Sequence, residues 1–222
     1  MRRRRVLLSW SSGKDSAWTL QVLRGDASLE LVGLLTTINE SAQRVAMHGV
    51  ADELLAAQAD AAGLALWRID LPSPCSNDEY EARMRRAIDR AKHERVDAIA
   101  FGDLFLADIR AYRERMLAGT GIAPLFPLFG ADTAALAREM IAGGLRAKLA
   151  CVDLAKLPAS FAGRDYDAAL LRDLPAGVDP CGENGEFHTF AIAGPMFSRE
   201  IAVEHAGTVV REGFAFADLR LK

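Results

Sequence analysis

In the first half of the chain, short apolar runs alternate with stretches whose apolar residues recur at helical spacing. Residues 5–9 read as a short buried strand, and residues 31–37, rich in Leu and Thr, as a second. Residues 66–70 and 97–101 are a third and a fourth, the last ending at Gly102-Asp103. Between them, residues 16–24 place Ala17, Leu20 and Leu23 on one helical face. Residues 50–62 turn Leu54, Leu55 and Ala59 inward and stop at Gly63. Ser76-Asn77-Asp78-Glu79 fits a capping box, in which the Ser76 hydroxyl accepts the Glu79 amide and the Glu79 carboxylate reaches back. The helix it opens runs to about Glu94. Strand–helix alternation of this kind predicts a parallel sheet with helices on both faces.

The second half is less regular. Residues 123–130 contain Pro124 and Pro127 and read as a loop. Residues 133–142 are helical, capped by Asp132 and stopped by Gly143-Gly144. Residues 147–152 form a strand, either of a small second unit or as a fifth member of the first sheet. Residues 163–167 and 175–185 are polar and turn-rich. Short strand-like runs follow at 187–192, 201–203, 208–210 and 214–216. The predicted organisation is a domain at 1–130 and a smaller α+β domain at 131–222.

A chain of 222 residues with 50% hydrophobic content builds a substantial core. Its net charge of −3 argues against a broad nucleic-acid surface. Residues 2–5 are all arginine, but only three apolar residues follow before Ser9, too few for a signal peptide. No run is long enough to span a bilayer. The chain therefore reads as soluble and cytoplasmic, with no membrane partner. Cys75, Cys151 and Cys181 are far apart and odd in number, which argues against a disulfide framework. The pattern leaves a homo-oligomer open.

The strongest local signal is Ser9-Trp10-Ser11-Ser12-Gly13-Lys14-Asp15-Ser16, where a strand becomes a helix. Such a junction presents free backbone N–H groups and the positive end of a helix dipole to an anion. Ser11, Ser12 and Gly13 are small enough for the backbone to close around a phosphate, and Ser16 adds a hydroxyl. Lys14 supplies a point charge. Asp15 repels bare phosphate and makes better sense beside Mg²⁺. The Walker pattern is absent.

The loop is similar to the S-G-G-x-D-S loop of the ATP-pyrophosphatases, with Ser12 where the first glycine stands. Its backbone there is expected to take an angle that tolerates a Cβ. Further segments follow in order: Arg44-Val45-Ala46-Met47-His48-Gly49-Val50, Phe101-Gly102-Asp103-Leu104, Tyr112-Arg113-Glu114 and Pro124-Leu125-Phe126-Pro127-Leu128. The last are Asp179-Pro180-Cys181-Gly182-Glu183-Asn184-Gly185-Glu186-Phe187-His188-Thr189 and Gly194-Pro195-Met196-Phe197. Together they resemble the diphthine–ammonia ligase family across nearly the whole chain. Family members tend to read G-E-G-G-E-F-E-T where this chain has Asn184 for a glycine and His188 for a glutamate. That exchange trades an acid for a group titrating near neutrality.

The resemblance implies an adenine-nucleotide-hydrolase-like α/β fold, Rossmann-like, with a smaller C-terminal α+β domain. It implies ATP and Mg²⁺ as cofactors, and ammonia and a carboxylate acceptor as substrates. The carboxylate is adenylated with release of pyrophosphate and then amidated. Ser11, Ser12, Gly13, Lys14, Asp15, Ser16, Gly102 and Asp103 are candidates for the nucleotide, with Asn39 and His48 on its adenine or ribose side. Asp15 and Asp103 are metal candidates. Lys14 and Asp15 on the phosphate side, and Glu183, Glu186 and His188 on the acceptor side, are the catalytic candidates. Two other functions share the loop: a thiolase-type tRNA-modifying ATP-pyrophosphatase and a non-catalytic ATP sensor. Absent paired cysteines weigh against the first, and the acidic-plus-histidine segment against the second.

Overall fold

The computed structural model describes residues 2–39, 44–45 and 51–222. In chain order they form β1 (Arg4–Ser9), α1 (Lys14–Arg24), β2 (Leu29–Asn39), β3 (Arg44–Val45), α2 (Asp52–Ala62), β4 (Leu66–Leu71), α3 (Asn77–His93), β5 (Ala98–Ala100), α4 (Ala107–Leu117), β6 (Ala123–Leu125), α5 (Thr133–Ala142) and β7 (Arg146–Asp153). A 3-10 turn at Ala159–Phe161 precedes α6 (Ala168–Asp173), β8 (Phe187–Ala193), β9 (Val203–Arg211) and β10 (Phe214–Leu221). Parallel pairing runs β4-β2-β1-β5-β6, and β3 adds antiparallel to the end of β2. A separate antiparallel sheet has the order β8-β7-β10-β9. The predicted α/β class with a smaller C-terminal unit is borne out. No described helix is long and apolar enough to cross a membrane.

Strand side chains alternate in direction, and the alternation sorts two cores. Val6 and Leu8 join Ala17, Leu20, Leu54 and Leu55 beneath α1 and α2. Leu7 joins Leu35, Met84, Ile88 and Ile99 beneath α3, with Leu117 from α4. Burial on both faces explains why these strands read as unbroken apolar runs.

Several expectations need correction. Residues 123–130 are not all loop, because Ala123–Leu125 is the edge strand β6. Ala123 N donates to Asp97 O at 3.0 Å, and Phe101 N donates to Leu125 O at 2.9 Å. Pro124 lies between them, where its missing N–H faces away from β5, so the ladder loses nothing. Of the two readings of residues 147–152, the strand of the second unit is the one found, as β7. The runs at 201–203 and 208–210 are not two strands. Val203–Arg211 is one, held along its length by β10 with a register shift between Ala217 and Leu219. Ser76 does cap α3 (Glu79 N to Oγ, 3.2 Å), but the Glu79 carboxylate pairs one turn on with Arg83 Nε at 2.7 Å.

The two sheets share one core, and α1 lies in the seam, touching β1 and β2 on one side and β8 on the other. Arg24 at its end donates to Met196 O at 2.5 Å and also to Ala62 O. Gln58 on α2 is fully buried in the same seam. Its Nε2 donates to Ser12 O at 2.9 Å and to Ala191 O at 2.7 Å, and its Oε1 accepts from Trp10 Nε1 at 3.0 Å. Gln58→Leu removes all three bonds and leaves buried partners unsatisfied, so it is expected to cost about 2–4 kcal/mol in urea unfolding. A loss below about 0.5 kcal/mol, the range of a surface change, contradicts the role of this seam.

Candidate active site

The chain builds from β1 outward to β2 and β4, then returns to β5 and β6 on the other side of β1. Where the order reverses, the carboxyl ends of β1 and β5 leave a crevice, the usual ligand position in open α/β sheets. The serine-rich loop leaves β1 there, and Phe101-Gly102-Asp103 leaves β5.

The loop is held by its own hydroxyls. Ser11 Oγ lies 3.2 Å from Ser16 Oγ, and Ser16 Oγ donates to Gly13 O at 3.0 Å. The N-cap residue Gly13 has no side chain to cap α1, and Thr189 Oγ1 of the second sheet takes the Lys14 N–H instead, with the N-terminal end of the helix dipole at the crevice. The expectation for Ser12 is not met: its φ is 69°, in the left-handed region that favours glycine. Its Oγ donates to the Ser11 carbonyl, a local bond that offsets part of a cost of about 1–2 kcal/mol. Gly102 is favoured by proximity. A Cβ there meets Asp15 C at 3.1 Å and Ser16 N at 3.2 Å, so β5 and the loop approach backbone to backbone.

The second sheet closes over this loop. Lys14 N donates to Thr189 Oγ1 at 3.0 Å, and Ala191 N donates to Ser12 O at 2.9 Å. The Lys14 side chain is buried. Its Nζ donates to Asp15 Oδ2 at 2.8 Å and to the Cys181 carbonyl, 5.5 Å from the ring centres of Tyr166 and Phe187. Burial alone lowers an ammonium pKa, but Asp15, Cys181 and Glu183 hold this one above its usual value.

Acidic groups converge from both units. Glu183 Oε1 accepts from Leu104 N at 2.8 Å, and burial pushes its carboxyl up to about 7 against that bond. Burial also raises Asp103, opposed by Arg113. Asp15 Oδ1 and Asp103 Oδ2 are buried without hydrogen-bond partners. His188 is driven the other way: burial, then Lys14, lowers it to about 4, so its ring is neutral at physiological pH. The Cys181 thiol is pushed up to about 12 by burial, which makes it no nucleophile.

Two contiguous cavities fill the crevice. One of about 270 Å³ is lined by the loop, Asp103, Glu183 and Thr189. The other, of about 780 Å³, runs over the ends of β2 and β4 and is lined chiefly by apolar side chains such as Leu35, Ile69, Leu71 and Met84. Ser9, Ser11, Phe101, Arg113, Glu183 and His188 border both.

The predicted residues distribute unevenly. Ser11, Gly13, Lys14, Asp15, Ser16, Gly102, Asp103, Glu183 and His188 line the smaller cavity. Ser12 lies fully buried behind it. Glu186 lines neither cavity: its Oε1 accepts from Asp179 N and from Asn184 Nδ2, both at 3.1 Å, bracing its own loop. Asn39, at the end of β2, also lines neither. His48 lies outside the described residues. Sequence reading missed Gln58, which looks like one polar residue on a helix, and it noted Arg113 within Tyr112-Arg113-Glu114 without assigning it to the site.

The diphthamide synthase N-terminal domain model matches residues 4–124, and the diphthamide synthase C-terminal domain model matches residues 132–220. A protein of Danio rerio named diphthine–ammonia ligase is 31% identical, over 96% of this chain and 91% of its own length. One of the same name from Bos taurus is 27% identical over 96% of this chain and 88% of its own. One from Homo sapiens is 30% identical over 64% of this chain and 55% of its own.

Two measurements check the site. Gly102→Ala forces the loop backbone aside and is expected to weaken binding of an anionic ligand about tenfold with little loss of stability; unchanged affinity contradicts the close approach. Because the folded His188 pKa lies below 6.5, its neutral ring favours the fold above that pH. The contribution is lost as pH falls toward 4. His188→Gln is expected to flatten that part of the acid limb in thermal melts, and an unchanged limb places the ring in water.

Proposed function

The chain belongs to the diphthamide synthase family, and on that premise we propose that it is an ATP-dependent, AMP-forming amide ligase acting on a carboxylate acceptor and ammonia. The observation that carries this reading is the N-terminus of α1 and its serine loop, set at the sheet's switch point and closed by residues 179–189 of the second unit. The larger, mostly apolar cavity suits adenosine, and the smaller one suits the phosphates. Residues 1–130 then form the nucleotide domain and residues 131–222 the acceptor domain.

A carboxylate does not acylate ammonia, because its leaving group is oxide. Attack of a carboxylate oxygen on the α-phosphorus makes an acyl-adenylate and breaks the bond to pyrophosphate. Ammonia then attacks the acyl carbon, loses a proton, and AMP leaves with the bonding electrons. The protein's work is positioning and neutralising charge. Ser11, Gly13 and Ser16 cradle the phosphates, while Lys14 holds the loop in shape and adds positive potential. Glu183, poised near neutrality, accepts the proton from the attacking ammonia. His188, uncharged, shapes the acceptor side. The names of the relatives point to diphthine as the acceptor.

The orphaned oxygens of Asp15 and Asp103 fit a divalent cation. Mg²⁺ would neutralise phosphate charge there. Among the described residues no group of three or more His, Cys, Asp or Glu is arranged to hold a metal, so these two aspartates would hold the ion together with phosphate oxygens.

With ATP labelled at the α-phosphate, AMP is expected only when ammonium and a carboxylate acceptor are both present. ADP as the product overturns the reading, and ATP binding without turnover across acceptors favours a sensor. Glu183→Gln is expected to lower kcat by about 100-fold and to abolish the rise in rate as pH passes through about 7. A retained rise assigns the base elsewhere.

A further inference from the structure

Lys14 is the cation that the sequence sets beside the phosphates, yet its ammonium is already engaged by Asp15 and the Cys181 carbonyl. Arg113 is in the opposite condition. It sits on α4, one turn after Ile109, and borders both cavities. Its guanidinium lies 5.0 Å from the centre of the Phe101 ring, which stacks in turn on Phe126 at 5.5 Å. Its Nε stands 3.6 Å from Asp103 Oδ2, too far for a hydrogen bond. Both atoms are buried, and neither has a hydrogen-bond partner. The two form a loose ion pair in which the buried Nε–H has no hydrogen-bond acceptor, and an anionic ligand that supplies one accounts for its presence.

We propose that Arg113 is the residue that contacts the α-phosphoryl group of ATP, with Asp103 holding it in reserve until the nucleotide arrives. The position follows from the cavities. Adenosine in the larger and the terminal phosphates in the smaller put the α-phosphate at their junction, where Arg113 stands. A guanidinium presents a planar fork that meets two phosphoryl oxygens at once, and Phe101 fixes its plane. Moving from Asp103 to phosphate satisfies the guanidinium and frees Asp103 for the phosphate side. As the acceptor adds to phosphorus, negative charge grows on the same oxygens, so the contact strengthens in the transition state.

This inference rests on the ATP-ligase reading, and calorimetric titration with ATP and with adenosine separates the two. In the intact chain, Arg113→Ala is expected to weaken ATP binding about 10- to 100-fold while adenosine changes less than about twofold. Arg113→Lys recovers only part of the loss, because an ammonium cannot fork. Asp103→Asn, titrated without Mg²⁺, tightens ATP binding when Arg113 is present and has no effect in the Arg113→Ala background. Wild-type affinity for ATP in Arg113→Ala overturns this assignment alone. Equal loss of ATP and adenosine also overturns it, since it makes Arg113 a wall of the cleft. A wild-type chain that binds no ATP overturns the ligase reading and this assignment with it. Should Arg113→Ala melt early, Arg113→Lys carries the same comparison.

Discussion

One buried ammonium ties the chemistry of this protein to its fold. Lys14 stands in the first turn of the helix that follows the serine loop, but its charge is delivered to the second unit. A cation this deep is tolerated only with close partners, and Asp15, the Cys181 carbonyl and two aromatic rings provide them. Cys181 sits in the same turn-rich segment as Glu183, so what anchors the ammonium also aims a carboxylate at the crevice. Thr189, Ala191 and Gln58 add neutral bonds along the same seam. The loop is therefore held from the second sheet as well as by its own hydroxyls.

That arrangement sorts the titratable groups. Covering the crevice removes water, which raises Glu183 and lowers His188. On the proposed function, His188 stays uncharged on the acceptor side and Glu183 titrates near neutrality, while the dipole of α1, Lys14 and Arg113 put positive potential on the phosphate side. A site proposed to hold a polyanion and yet let a neutral amine attack is served by this separation.

Much of this was legible from residue pattern alone. Strands buried on both faces left unbroken apolar runs, and the loop announced itself by small residues at a strand–helix junction. What could not be read was set by partners distant in sequence. Pro124 looked like a breaker, because only the ladder shows that its missing N–H faces away from β5. The helix that carries Arg113 has Leu117 as its one fully buried residue, so its apolar periodicity was too thin to signal a helix. Lys14 was placed beside phosphate on its neighbours in sequence, whereas its ammonium is held by Asp15 and, 167 residues away, by the Cys181 carbonyl. Glu186 and Glu183 are equivalent in the motif, and only the fold shows one bracing the loop and the other facing the cavity.

The central claim is that the serine loop and the second-unit segment form one ligand-binding unit. Amide hydrogen exchange with and without ATP tests it most directly, read over residues 11–16 and 179–189 in the same sample. The account predicts slow exchange in the loop before ATP is added, and added protection in both segments together once it binds. Protection confined to residues 11–16, with 179–189 unchanged, would contradict it.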